Sequence, residues 1–196
     1  MSMLEGVGRP EGDDVAGRCG YQGAAGAFSH EACTDLRPWD EAVAYETFEH
    51  VLEALAVGDI GCALIPVENS TIGRVEPAAT LVENSGLHIV SEVWRPIRLA
   101  LMAPHGARLS DIKTAESHPI ALRQCTGTLT GLNIEPVIVF DTAGAARAVA
   151  EANDKSRAAV APARAAEVYD LSILRNDIQD EADNRTRFVL LSAKPA

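Results

Sequence analysis

The sequence predicts an α/β protein built on mostly parallel sheets with helices on both faces, and three observations carry that expectation. From Cys19 onward, short β-like runs alternate with longer helix-like ones, the order that produces βαβ units. Residues 61–67 form a continuous apolar run, the pattern of a strand covered on both faces. No internal repeat, heptad pattern or low-complexity stretch competes with this reading.

The elements follow in order. Residues 18–22 read as a first strand, followed by a glycine turn and a helix over 29–36. Residues 42–47 read as strand and 48–57 as helix, closed by Gly58, because glycine reaches the left-handed conformation of a helix C-terminus without penalty. After the apolar strand a helix is expected over 70–84, ended by Ser85 and Gly86. Residues 87–103 are β-branched and long, with alternation around Trp94 and Pro96, and read as one bent strand running between two lobes. Strand 112–115, helix 119–129, strand 134–140, helix 142–153, strand 158–161, helix 162–169 and strands 173–178 and 188–191 complete the chain. Pro119 and Pro162 suit the first turn of a helix, where the missing N–H costs nothing.

The chain has 196 residues, 47% hydrophobic and 23% charged, enough for one well-filled domain or two small lobes sharing a core. Its net charge of −11 leaves no broad basic face for nucleic acid or an anionic membrane. An anionic small molecule stays open, because a local cluster of donors binds it against the global field. Cys19, Cys33, Cys62 and Cys125 form no C-x-x-C pair, so neither a metal site nor a redox motif is expected. Free thiols and a cytoplasmic location are expected instead. Residues 1–18 are Gly-rich and acidic with no apolar run, and are read as a flexible tail, not a signal peptide. No stretch approaches the ~20 apolar residues that cross a bilayer.

Ligands of such sheets sit beyond the carboxyl ends of the strands, so the junctions after the strands are the candidates. The first is the glycine turn 20–27 leading to Phe28, Ser29 and His30, a stretch able to present N–H groups to an anion, though without a complete nucleotide motif. The second is Glu68-Asn69-Ser70, where capping accounts for one of the last two but not for both. The third is Glu116-Ser117-His118-Pro119, with Gln124 about two turns into the helix. At Asp141-Thr142, Thr142 reads as the N-cap. Asn184-Arg185-Thr186-Arg187-Phe188 is the densest positive spot of an acidic chain, either a solvated, salt-bridged turn or donors aimed at carboxylates. No nucleophile–base triad and no metal-ligand spacing is present.

Taken in order, these pieces resemble the prephenate dehydratase family. The matching stretches are Gly23 to Ser29, Pro66 to Ser70 with Gly73, Ser117-His118-Pro119 with Gln124-Cys125, and Thr142-Ala143 with Ala145-Ala146. Ala158 to Ala161 and Asn184 with Thr186-Arg187-Phe188 complete the set, which spans about 19–192. The resemblance implies two α/β lobes of the type-2 periplasmic-binding-protein kind with the active site in the cleft between them. Lobe 1 would hold about 19–97 and 181–196, lobe 2 about 98–180, and the stretches 87–103 and 180–188 would be the crossings. It implies conversion of prephenate to phenylpyruvate with no cofactor and no metal. Thr186 would donate to the leaving hydroxyl. Asn69, Ser70, Ser117 and Asn184 would be substrate-contacting donors, with the glycine turn and Ser29 supplying N–H groups, and Phe28 or Phe188 would form an apolar wall. His118, Glu68, Gln124 and Arg187 belong to the same set, Arg187 either contacting substrate or bracing its loop. A homodimer or higher homo-oligomer is expected from the same resemblance. The sequence departs from the family at Ile120, where a glutamine is usual, and no regulatory ACT domain is read in it, so feedback inhibition through one is not expected. Two other readings remain: a dehydratase preferring arogenate, and a non-catalytic sensor of aromatic acids on the same fold.

Overall fold

A computed structural model describes residues 17–195; the expected tail falls on residues 1–16, outside the described residues, except for Gly17 and Arg18. The first half of the chain runs β1 (Arg18–Gln22), α1 (Phe28–Leu36), β2 (Glu41–Tyr45), α2 (Phe48–Val57), β3 (Cys62–Asn69), β4 (Gly73–Arg74), α3 (Ala78–Asn84) and β5 (His88–Pro96). It continues through β6 (Ala100–Ala103), β7 (Thr114–Ser117), α4 (Pro119–Gln124), α5 (Thr126–Gly131), β8 (Glu135–Ile138) and α6 (Thr142–Ala152). β9 (Arg157–Ala161), α7 (Ala163–Val168), β10 (Ser172–Arg175) and β11 (Arg185–Ser192) close it. One sheet has the order β2-β1-β3-β11-β5 with β4 beside β3, and the other has β10-β6-β9-β7-β8. The backbone passes between the sheets at 97–99 and again at 176–184.

Each sheet is mixed, where a mostly parallel one was expected. β1 pairs in parallel with β2 and β3, and β7 with β8 and β9, as βαβ units require. β11 runs antiparallel to β3 and β5, and β6 to β9 and β10. Apart from β4, which folds back on β3 through a tight turn, the antiparallel pairs involve the strands that follow the two crossings, β6 and β11.

Helices do cover both faces, and strand periodicity explains how. In β6, Leu101 and Ala103 pack with Ala121, Leu122 and Leu129 of α4 and α5, while Ala100 and Met102 pack with Ala145, Val149 and Ala165 of α6 and α7. In β3, Ala63, Ile65 and Val67 face α2 and α3, whereas Cys62 and Leu64 face Ala32 and Cys33 of α1. Burying each such Leu or Ile stabilises the fold by about 1.5–3 kcal/mol.

Several boundaries differ from expectation, each for a local reason. The helix expected over 70–84 begins only at Ala78. The Asn69 carboxamide oxygen accepts from Thr71 N at 2.9 Å and Ile72 N at 3.1 Å, folding residues 69–72 into a turn that returns as β4. Stretch 87–103 is two strands in two sheets. The helix over 119–129 is broken at Cys125. The N-cap of α6 is Asp141, whose carboxylate accepts from Gly144 N at 2.5 Å, so Thr142 is the first helical residue and not the cap. α2 matches the expectation at both ends, with Thr47 capping His50 N and Gly58 in the left-handed region at φ 85°.

Candidate active site

A cleft of about 290 Å³ lies between the lobes. Lobe 1 contributes Phe28 and Ser29 from α1, Pro66 and Asn69 from β3, and Thr186 and Phe188 from β11. The second lobe contributes His118, Ile120 and Gln124 around α4, and Asp141 and Thr142 at the start of α6.

Strand register brings the central polar groups together. Thr186 on β11 is the direct partner of Asn69 on β3. The Asn69 amide donates to Thr186 Oγ1 at 2.9 Å and to Asn184 Oδ1 at 2.8 Å, and Thr71 Oγ1 donates to the same Asn184 oxygen at 3.4 Å. All of Asn69, Asn184 and Thr186 are buried. Two donor groups in this knot have no acceptor among the described residues: the Thr186 O–H, whose oxygen is already an acceptor, and the Asn184 Nδ2, which is sealed from solvent. A donor left so is costly unless something occupies the cleft. Thr186 and Phe188 share the cleft face by strand alternation, and an extra residue in β3 at Val67, opposite Arg187 and Phe188, lets Pro66 and Asn69, three positions apart, both reach the cleft.

Other residues expected here are elsewhere. Ser117 is fully buried and donates to the Val160 carbonyl at 2.5 Å, tying β7 to β9 inside the second lobe. Its hydroxyl is inside the sheet and away from the cleft lining. Glu68 and Arg187 are cross-strand partners and pair at 2.9 Å, and Arg187 reaches Glu92 at the same distance. Arg187 therefore braces three strands. Ser70 ties the rim, its hydroxyl accepting from Arg185 N at 2.9 Å and donating to the Asp183 carbonyl at 3.2 Å. The glycine turn spends part of its N–H groups on itself and on β2, while Phe28 N and Ser29 N, at the cleft, have no acceptor among the described residues. Gly23 N donates to Tyr45 O, Gly26 N to His30 Nδ1 and Ala27 N to Ala24 O. Gly26, at φ +88°, lets the turn press on α7, since a Cβ there would sit 2.9 Å from Ala165 Cα. Tyr169 Oη donates to Ala25 O at 2.8 Å across the same contact.

His118 lines the cleft and its Nδ1 accepts from Ile120 N at 3.2 Å, capping α4. His30 stays outside. Burial and then the Arg164 charge lower its pKa, in keeping with a neutral ring accepting from Gly26 N at 2.9 Å. The four cysteines are free and buried, and burial pushes the Cys125 thiol up to about 12, so it packs rather than reacts.

Sequence reasoning missed the apolar wall of Ile72, Val75, Ile97 and Ala121, because by periodicity such residues look like ordinary core. It also missed the cleft role of Thr142. Ile120, noted as a departure, proves to belong to that wall. Among the described residues, no lysine or arginine lines the cleft. No group of three or more His, Cys, Asp or Glu residues there could hold a metal, and no helix is long and apolar enough to cross a membrane.

This architecture defines a two-lobed α/β protein whose cleft suits a small molecule with oxygen acceptors on an apolar body. The prephenate dehydratase family model matches residues 19–196, and the chain belongs to that family. It is 42% identical over 178 residues to arogenate dehydratase/prephenate dehydratase 2, chloroplastic, of Arabidopsis thaliana, covering 91% of this chain and 47% of that protein. Two solved structures are similar. GqqA, described as a novel type of quorum-quenching acylase, gives a TM-score of 0.84 at 38% identity over 91% of this chain and 65% of that one. The prephenate dehydratase of Arthrobacter aurescens in complex with L-Phe gives 0.80 at 27% identity over 91% and 61%. The chain thus spans about half the length of the Arabidopsis relative and under two thirds of either solved chain.

Proposed function

We propose that the chain catalyses the decarboxylative dehydration of prephenate to phenylpyruvate, with the Thr186 hydroxyl donating a hydrogen bond to the departing oxygen. The observation that carries this reading is the unused Thr186 O–H beside the Asn69 amide, at the edge of an apolar cleft. Prephenate holds a carboxylate and a pyruvyl arm on one ring carbon and a hydroxyl on the opposite one. The bond to the carboxylate carbon breaks, its electron pair enters the ring, and the C–O bond opposite breaks. One proton is taken up, and phenylpyruvate, CO₂ and water result.

Aromatisation supplies the drive, so the protein need only stabilise charge on the leaving oxygen and leave the reacting carboxylate poorly solvated. The Asn69 N–H donated to Thr186 Oγ1 makes that hydroxyl a better donor, since hydrogen bonds in a chain polarise one another. Ile72, Val75, Ile120 and Phe188 provide a wall against which a carboxylate loses little by becoming CO₂. A cleft lined by no lysine or arginine avoids binding that carboxylate more tightly than the transition state. The reading calls for no cofactor or metal, and takes the acting form to be a homodimer or higher homo-oligomer in the cytoplasm.

The test is the purified protein with prephenate and, separately, arogenate, beside Thr186→Val. A positioned donor contributes about 10²–10⁴-fold, so the variant should lose kcat by that order while keeping its melting temperature within a few degrees. Equal turnover by the variant removes the role given to Thr186. Turnover of arogenate alone shifts the substrate to the aminated analogue, and saturable binding without turnover makes the chain a sensor.

A further inference from the structure

The substrate of the proposed reaction carries two carboxylates, yet the cleft offers no cation. One exists next door. A side pocket of about 180 Å³ shares Gln124 and Asn184 with the cleft and is further lined by Thr71, Arg123, Asp180 and Glu181. Arg123 is the single cationic residue among those lining either space. Its guanidinium makes no hydrogen bond or ion pair with any described residue, although most arginines of this acidic chain are paired. The nearby acids leave it free. Asp180 uses both carboxylate oxygens at the start of α5, accepting from Gly127 N at 2.8 Å and Thr128 N at 3.0 Å, and Glu181 forms no ion pair. Between the two spaces stands Asn184, 3% exposed, with its Nδ2 lacking an acceptor.

We propose that Arg123 binds the carboxylate of the substrate's three-carbon arm, the arm running from the cleft past Gln124 and Asn184 into the side pocket. This rests on the dehydratase reading and adds the residue that anchors the substrate. The chemistry divides accordingly. The carboxylate that leaves as CO₂ stays in the uncharged cleft, where no cation holds it back. The carboxylate that persists into the product meets a guanidinium, whose planar fork suits it. Thr186 then addresses the opposite end of the ring. Because this anchor contacts a part of the substrate that does not react, it should act on binding and not on the chemical step.

The experiment uses the unaltered protein, Arg123→Gln and Arg123→Lys, with prephenate and arogenate as substrates and phenylpyruvate as competing product. Arg123→Gln should raise KM about 10- to 100-fold, the range of a charge-assisted contact, with kcat changed by less than about threefold. The inhibition constant of phenylpyruvate, which keeps only the arm carboxylate, should rise by a similar factor, and Arg123→Lys should recover part of both. Unchanged KM and inhibition constant in Arg123→Gln overturn the proposal, as does a fall in kcat alone. If the unaltered protein turns over neither substrate, the dehydratase reading itself fails and takes this inference with it. Turnover that survives with Arg123 irrelevant sinks the inference only.

Discussion

Two strand ends that look alike in sequence behave differently in the fold. Glu68-Asn69-Ser70 ends β3 and Glu116-Ser117-His118 ends β7, each a polar triplet after an apolar strand. At the first, Asn69 meets Thr186 and Asn184, and the knot keeps hydrogens without acceptors at the cleft. At the second, Ser117 is bonded to Val160 O and Glu116 to Arg157 at 2.6 Å, both within the lobe. Only His118 there reaches the cleft. The difference is the neighbour. β3 is flanked by β11, which carries polar residues at the matching height, whereas β7 lies between β8 and β9, where a buried hydroxyl finds only backbone. A polar side chain beyond a strand becomes a site when its bonding capacity is left unfilled, and becomes mortar when it is not.

Two changes test this contrast. Asn69→Leu should have the largest effect, because it removes the donor to Thr186 and the acceptor that shapes the turn to β4. We expect kcat to fall about 10²-fold or more and stability to drop by about 1–3 kcal/mol, read by steady-state kinetics and urea unfolding. A variant with wild-type kcat would show that Thr186 acts without Asn69. Ser117→Ala should leave kcat and KM unchanged while costing about 1–2 kcal/mol, since the Val160 carbonyl loses its buried donor. A large rise in KM with normal stability would return Ser117 to the site.

The smallest effect concerns pH. His30 has a folded pKa lowered below its usual 6.5 by burial and by Arg164, so the folded state disfavours the charged ring. Its contribution to stability is complete above the unfolded value of 6.5 and is lost as pH falls through that value toward the lower folded one. Melting temperature should therefore decline on going from pH 7.5 to pH 5.5, and less so in His30→Gln. Equal declines would remove His30 from the account. The glycine turn, held by the Gly26 N to His30 Nδ1 bond, is where this acid sensitivity should be felt.

Much of the architecture was legible one residue at a time. The apolar run of β3, the Gly58 cap of α2 and the ordered motifs ending in Thr186-Arg187-Phe188 are local patterns, set by rules of period and capping that act within a few residues. Partnership across the chain was not legible. Asn69 and Thr186 are separated by 117 positions, and only the antiparallel return of β11 against β3 makes them neighbours. The same holds for Ser117, whose hydroxyl was assigned to substrate until β9 came alongside, and for Arg123, whose isolation from every carboxylate is a property of packing. Sequence determined which elements form and which side chains could donate. Tertiary structure decided which donors remain unfilled, because a hydrogen bond is satisfied by whatever the fold brings within 3 Å or so, and the chain does not spell that out.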